Sequence, residues 1–194
     1  MPHLIIAVVT SIGLIAFAIV ARVPTYHTAP AFLLPVTWAI YLLRRRLNLS
    51  AVHYALLCSA ILLHMSGALG FYQNSPFPIS FDIVVHYYFA LCITLVLYRA
   101  LAANYPVLSA WQLTVLTFFI LMGLAALHEI MEFSSYLLLG EESGMLKPQT
   151  SYVWDTARDL TNNLLGTVTG LAAIGVHRWV MKGSNEAQNR VSNG

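Results

Sequence analysis

The residues able to do chemistry in this chain fall into three short groups. Asp82 and His86 stand four apart, His128, Glu129 and Glu132 form a second group, and Asp155, Arg158, Asp159, Asn162 and Asn163 a third. On a helix, positions three or four apart share a face. Asp82 with His86, and His128 with Glu132, would therefore each present a carboxylate beside an imidazole. Glu129 lies one step round and three residues before Glu132. Asp155 joins Asp159 on one face if a helix starts near Asp155. Carboxylate oxygens with imidazole nitrogens suit Zn, Mn or Fe, and oxygens alone suit Mg or Ca. A divalent cation in such a cluster polarises a carbonyl or phosphoryl oxygen and lowers the pKa of water. Asp82, His86, Glu132 and Asp159 are the expected metal ligands. Glu129 or Asp155 is the expected general base, since a base must reach the nucleophile directly or through one water. His64, His128 and Asn163 are expected behind the ligands or beside a substrate, and Arg158 is suited to grip an anionic head group.

Each group also has a plainer explanation. Asp82 and Asp159 could cap helix N-termini and meet the helix dipole. That does not serve Glu129 and Glu132, which lie deep in a long apolar run, so their alternative is hydrogen bonding or interfacial solvation. His64 could be a satisfied polar residue inside a bundle. Glu141 and Glu142 read as a solvated loop, and Tyr152 and Trp154 as interfacial aromatics. Asn163 with Gly166 and Gly170 could let two helices approach closely, with an amide bonding across them.

The elements that must position these groups are set by the solvent. Of 194 residues, 58% are hydrophobic and only 9% charged, against roughly 25% charged in an ordinary soluble domain. Mean hydropathy is +0.70. This excludes a soluble enzyme, and the lack of a basic patch excludes a nucleic-acid partner. Cys58 and Cys92 both lie in apolar runs and form no disulfide framework or zinc motif. Six apolar stretches stand out, at about Leu4 to Ala21, Ala29 to Leu43, Ala51 to Phe71, Ile83 to Leu101, Ala110 to Leu139 and Leu160 to Val180. A span needs roughly 20 apolar residues. Five stretches qualify, and the second, with Pro30 and Pro35, is marginal. The expected fold is an all-α integral membrane bundle of about six transmembrane helices, residues 1–182 making one domain and 183–194 a polar, disordered tail. No Lys or Arg precedes the first run, so a span is expected there rather than a cleaved signal.

Basic residues orient the bundle. With both termini cytoplasmic, Arg44, Arg45, Arg46, Arg99, Arg178, Lys182 and Arg190 lie inside, leaving Arg22, Lys147 and Arg158 outside. Under that topology every acid except Glu186 lies at the outer end of a helix or in an outer loop. His64 would sit roughly 20 Å up the third helix and Glu129 roughly 27 Å up the fifth. Groups scattered along the chain thus return to one depth.

Three segments carry a family resemblance. The run Phe81-Asp82-Ile83-Val84-Val85-His86, the run His128-Glu129-Ile130-Met131-Glu132-Phe133 and the run Tyr152-Val153-Trp154-Asp155-Thr156-Ala157-Arg158-Asp159 resemble the YjdF-type family of small bacterial inner-membrane proteins. The likeness covers about residues 55 to 175, including Leu63-His64-Met65. His128 stands where Tyr is familiar in that family, and Val85 where Gly often precedes the first His. Asp159-x-x-x-Asn163-x-x-Gly166 is more faintly similar to VanZ-like membrane proteins, which are linked to glycopeptide-antibiotic resistance. The resemblance implies a multi-pass bundle in the bacterial inner membrane and a polar cluster, and leaves the activity open.

Three readings follow. One is a divalent-metal-dependent hydrolase of a lipid or lipid-linked substrate at the outer face. Another is a proton- or ion-coupled transporter or lipid translocase, since intramembrane carboxylates mark such paths. The third is a non-catalytic membrane module in which the cluster only ties helices together.

Overall fold

The computed structural model describes residues 1–139 and 152–192. The expected solvated loop with Glu141, Glu142 and Lys147 lies outside the described residues, as do Asn193 and Gly194. The described residues form six α-helices: α1 (Pro2–Ile19), α2 (Pro30–Leu43), α3 (Ala51–Met65), α4 (Phe81–Asn104), α5 (Ala110–Leu139) and α6 (Tyr152–Ser192). Short 3₁₀ turns at Pro24–His27 and Ser66–Leu69 follow α1 and α3. With no water in hydrocarbon to satisfy backbone groups, helices are the economical way to cross it. Five helices are long and apolar enough to do so.

The exception is α2. Its 14 residues rise only about 21 Å, against a hydrocarbon thickness of roughly 30 Å. Pro30 starts it, and Pro35 lies inside it, where the missing N–H removes a backbone bond. Thr37 Oγ donates to the Leu33 carbonyl at 2.8 Å and the Tyr54 hydroxyl to the Thr37 carbonyl at 3.1 Å, tying the helix to α3. At the other extreme, α6 runs to Ser192, through most of the stretch expected to be a disordered tail. Extending an existing helix avoids the cost of nucleation.

Contacts between helix ends define the two ends of the bundle. At one, His3 Nε2 meets the Leu49 carbonyl at 2.9 Å, and Asn104 Nδ2 donates to the Arg46 carbonyl at 2.8 Å. At the other, the Arg22 amide donates to the Ala68 carbonyl at 2.7 Å. Helices α4 and α6 run parallel, and theirs is the most extensive packing in the fold. Pairs along the interface keep a similar sequence offset: Arg158 to Asp82, Asn163 to His86, Thr169 to Tyr87 and Arg178 to Tyr98. Because lipid tails are as apolar as leucine, such packing relies on small residues rather than on the hydrophobic effect. Gly166 and Gly170 supply them, resting on the Tyr87 carbonyl and on Thr94. The N-terminal turns of α4 and α6 are thereby brought side by side.

Candidate functional site

The site forms where those turns meet. Asp82 and His86 occupy the first two turns of α4, and Asp159 and Asn163 face them from α6. All four are buried. Asp82, His86 and Asp159 each offer one ligand atom within 4.8 Å of the other two. His86 Nε2 is 3.4 Å from Asp82 Oδ1 and 3.8 Å from Asp159 Oδ2. These are long for hydrogen bonds. Donors 2.0–2.2 Å from a tetrahedral ion stand about 3.4 Å apart, so the spacing fits a shared cation.

The far atoms of the same side chains are held from behind. Arg158 Nη2 donates to Asp82 Oδ2 at 2.6 Å and to Asp155 Oδ1 at 2.6 Å. Arg158 Nε lies 3.5 Å from Asp159 Oδ1, with no hydrogen bond between them. Asn163 Nδ2 is 3.2 Å from His86 Nδ1. One guanidinium and one amide thus orient Asp82 and His86, as supporting residues around metal ligands do, while Asp159 has only the longer ion-pair contact to Arg158. They leave Asp82 Oδ1, His86 Nε2 and Asp159 Oδ2 turned toward one another.

From α5, His128 Nε2 lies 2.9 Å from Glu132 Oε1, the i, i+4 pairing expected of them. The His128 ring centre is 5.9 Å from that of His86. Glu132 therefore shares the site without joining the three-donor group. Glu129 is buried and reaches Thr156 of α6, and its Oε1 has no hydrogen-bond partner among the described residues. It lies outside the cavity wall described below. Asp155 is engaged by Arg158, and it too is absent from that cavity wall. Trp154 is largely exposed, in keeping with an interfacial aromatic.

His64 reaches the site from the end of α3, with Nδ1 2.8 Å from the Tyr72 hydroxyl. Tyr72 in turn bonds Tyr26 of the first 3₁₀ turn. Burial raises the pKa of both phenols, so both stay neutral and able to donate. Neither tyrosine was legible as a site residue, because both sit in links between helices. The available signal was Gly67: a Cβ there would run into the Tyr72 ring and the Tyr26 hydroxyl.

These groups cap a cavity of about 380 Å³. Its polar end holds His64, Tyr72, Asp82, His86, His128, Glu132 and Asn163, and the rest of its wall is apolar. Leu33, Val36 and Ile40 of α2 line one side, and Leu121, Leu124 and Ala125 of α5 line another. Two of these, Val36 and Leu124, are 47% and 51% exposed. The cavity is therefore open on its apolar side, where lipid would surround the bundle.

A model of the family described as "Predicted membrane protein (DUF2238)" matches residues 2–179. The chain belongs to that family. It is thus a multi-pass membrane protein, and the family description goes no further. No curated protein and no solved structure matches the chain.

Proposed function

We propose that this DUF2238 protein is a divalent-cation-dependent hydrolase acting on a lipid or lipid-linked substrate, and that its resemblance to YjdF-type proteins of the bacterial inner membrane reflects kinship. The observation that carries this reading is the convergence of Asp82 Oδ1, His86 Nε2 and Asp159 Oδ2, with Asp82 and His86 lining the polar end of an otherwise apolar cavity and backed by Arg158 and Asn163. Three protein donors with an open position are the pattern of a catalytic rather than a structural metal site. Zn, Mn and Fe fit this nitrogen and oxygen set, and Mg tolerates it less well. When bound, the cation would supply Lewis acidity and a lowered water pKa.

The remaining roles belong to side chains of the chain itself. His86 keeps Nε2 free for the cation when its proton is on Nδ1, which then donates to the Asn163 amide oxygen after the amide turns over. Arg158 holds Asp82 and lies close enough to Asp159 to offset part of the charge of both. The His128–Glu132 pair lines the cavity and takes the general-base role first expected of Glu129 or Asp155. The apolar wall between α2 and α5 accepts the chain of an amphiphile, directing its head toward His128 and His86. With both termini cytoplasmic, the reacting end faces the outer leaflet.

Full-length protein purified in detergent should hold close to one divalent metal per chain, and Asp82→Ala or His86→Ala should lose it. Incubated with a bacterial lipid extract, the loaded protein should release a water-soluble product that His86→Ala does not. Metal-free protein that stays folded and functional in cells would overturn the reading. One observation favours the non-catalytic module: Arg158 alone links Asp82, Asp155 and Asp159, and so ties α4 to α6 without a metal. In that case metal content and product release would both be absent, while Arg158→Gln would still lower thermal stability.

A further inference from the structure

The opposite end of the bundle carries a second cleft, of about 540 Å³, between α3, α4 and α6. His53, Tyr98, Arg99, His177 and Arg178 line it, and among the described residues no Asp or Glu does. We propose that this cleft binds the phosphate of an anionic phospholipid, independently of the site under Asp82 and His86.

The argument begins with the two guanidinium groups. Arg99 Nε donates to the Asn48 carbonyl at 2.5 Å, and Arg178 Nη1 donates to the Tyr98 hydroxyl at 2.6 Å. Both partners are neutral. Among the described residues, neither arginine forms an ion pair with a carboxylate, whereas Arg158 at the other end is paired with three. The neutral contacts aim the guanidinium forks without cancelling their charge. Each fork retains N–H donors for phosphate, which guanidinium groups can grip in bidentate fashion. His53 adds an imidazole whose Nδ1 is 2.6 Å from Ser50 Oγ, and His177 adds another.

The walls select a lipid over a free ion. Ala102, Ala103 and Ala173 leave room beside the arginines, and Leu95 and Ile174 continue the cleft with apolar surface. Trp179 on α6, with Trp111 and Tyr105 at the same end of the bundle, is strongly exposed. Exposed aromatic rings of this kind settle at the membrane–water interface, which puts the cleft at head-group depth. Basic pockets between transmembrane helices at that depth suit anionic head groups.

The test uses full-length protein in detergent, titrated with phosphatidylglycerol or phosphatidylcholine and read by native mass spectrometry. Wild-type protein should retain phosphatidylglycerol well above phosphatidylcholine. Arg178→Gln should lower that preference about fivefold, and Arg99→Gln with Arg178→Gln about 25-fold. Arg22→Gln, at the other end, should change nothing. Arg99 also ties the turn at Asn48, so if the double variant does not fold, Arg178→Gln with His177→Gln replaces it and should lose most of the preference. Equal retention of the two lipids by wild type overturns the proposal. So does an unchanged preference in the folded variants, or displacement of phosphatidylglycerol by millimolar inorganic phosphate, which would assign the cleft to a soluble anion. Metal content should be unaffected by these variants, so the result stands apart from the hydrolase reading.

Discussion

Replacing Gly166 with alanine should weaken the proposed cation site without touching a donor. A Cβ at Gly166 would collide with the Tyr87 carbonyl oxygen and stand 3.1 Å from the Leu91 amide nitrogen and 3.0 Å from Ala90 Cβ, where ordinary contact begins at 3.4 Å. Two of these neighbours are backbone atoms in the middle of α4 and cannot rotate away. The packed interface must therefore open, by roughly 1 Å at this level. Asp159 lies two turns earlier on nearly the same face of α6 and moves with it. His86 Nε2 and Asp159 Oδ2, now 3.8 Å apart, would separate to about 4.8 Å. Two bonds of up to 2.2 Å span at most about 4.4 Å, so His86 and Asp159 could no longer share an ion. The expected loss in metal affinity is ~10- to 100-fold, with about 1–3 kcal/mol of stability from overpacking. Elemental analysis, metal titration and thermal melting of the purified protein check both effects. Gly175→Ala is the control, since a Cβ there meets nothing within 4 Å. If Gly166→Ala bound metal as wild type does, the dependence of the site on the α4–α6 approach would be refuted.

Asn163→Leu should weaken metal binding ~10-fold or more, by releasing the His86 ring, whereas Asn163→Gln should recover part of the loss; equal titration curves for all three would remove Asn163 from the site. Leu124→Trp should fill the cavity between α2 and α5, lowering turnover of a lipid substrate while metal content stays near one per chain; unchanged turnover would rule out entry of the chain by that side. Gly67→Ala should cost about 1–3 kcal/mol by crowding Tyr72 and Tyr26, read as a lower melting temperature, and an unaltered melt would show that the two rings have room to move. A reporter enzyme fused after Gly194 should be active only in the cytoplasm, and periplasmic activity would invert the proposed orientation.

The spans were legible because the membrane imposes a local rule. A run such as Ala110 to Leu139 needs no knowledge of its neighbours to be recognised as a helix long enough to cross. The pairing of His128 with Glu132 was legible for the same reason, since a helix sets the i, i+4 relation by itself. Arg158 was harder. Its composition and position suited a substrate's head group, yet its guanidinium is taken by Asp82 and Asp155, one of them 76 residues away in sequence. Glu132 illustrates the same limit from the other side: its type and spacing matched a ligand, and the structure pairs it with His128 beside the three-donor group rather than within it.

Composition and periodicity by themselves determined that the chain enters a membrane, which segments are long and apolar enough to cross it and which acids and imidazoles share a helical face, because each follows from residues within a few turns of one another. Only the tertiary structure decided which faces meet. That choice rests on Gly166 and Gly170 letting α6 settle against α4, and on links such as Gly67 folding Tyr72 over His64. Both are matters of close approach between segments far apart in the chain, and no local pattern records them.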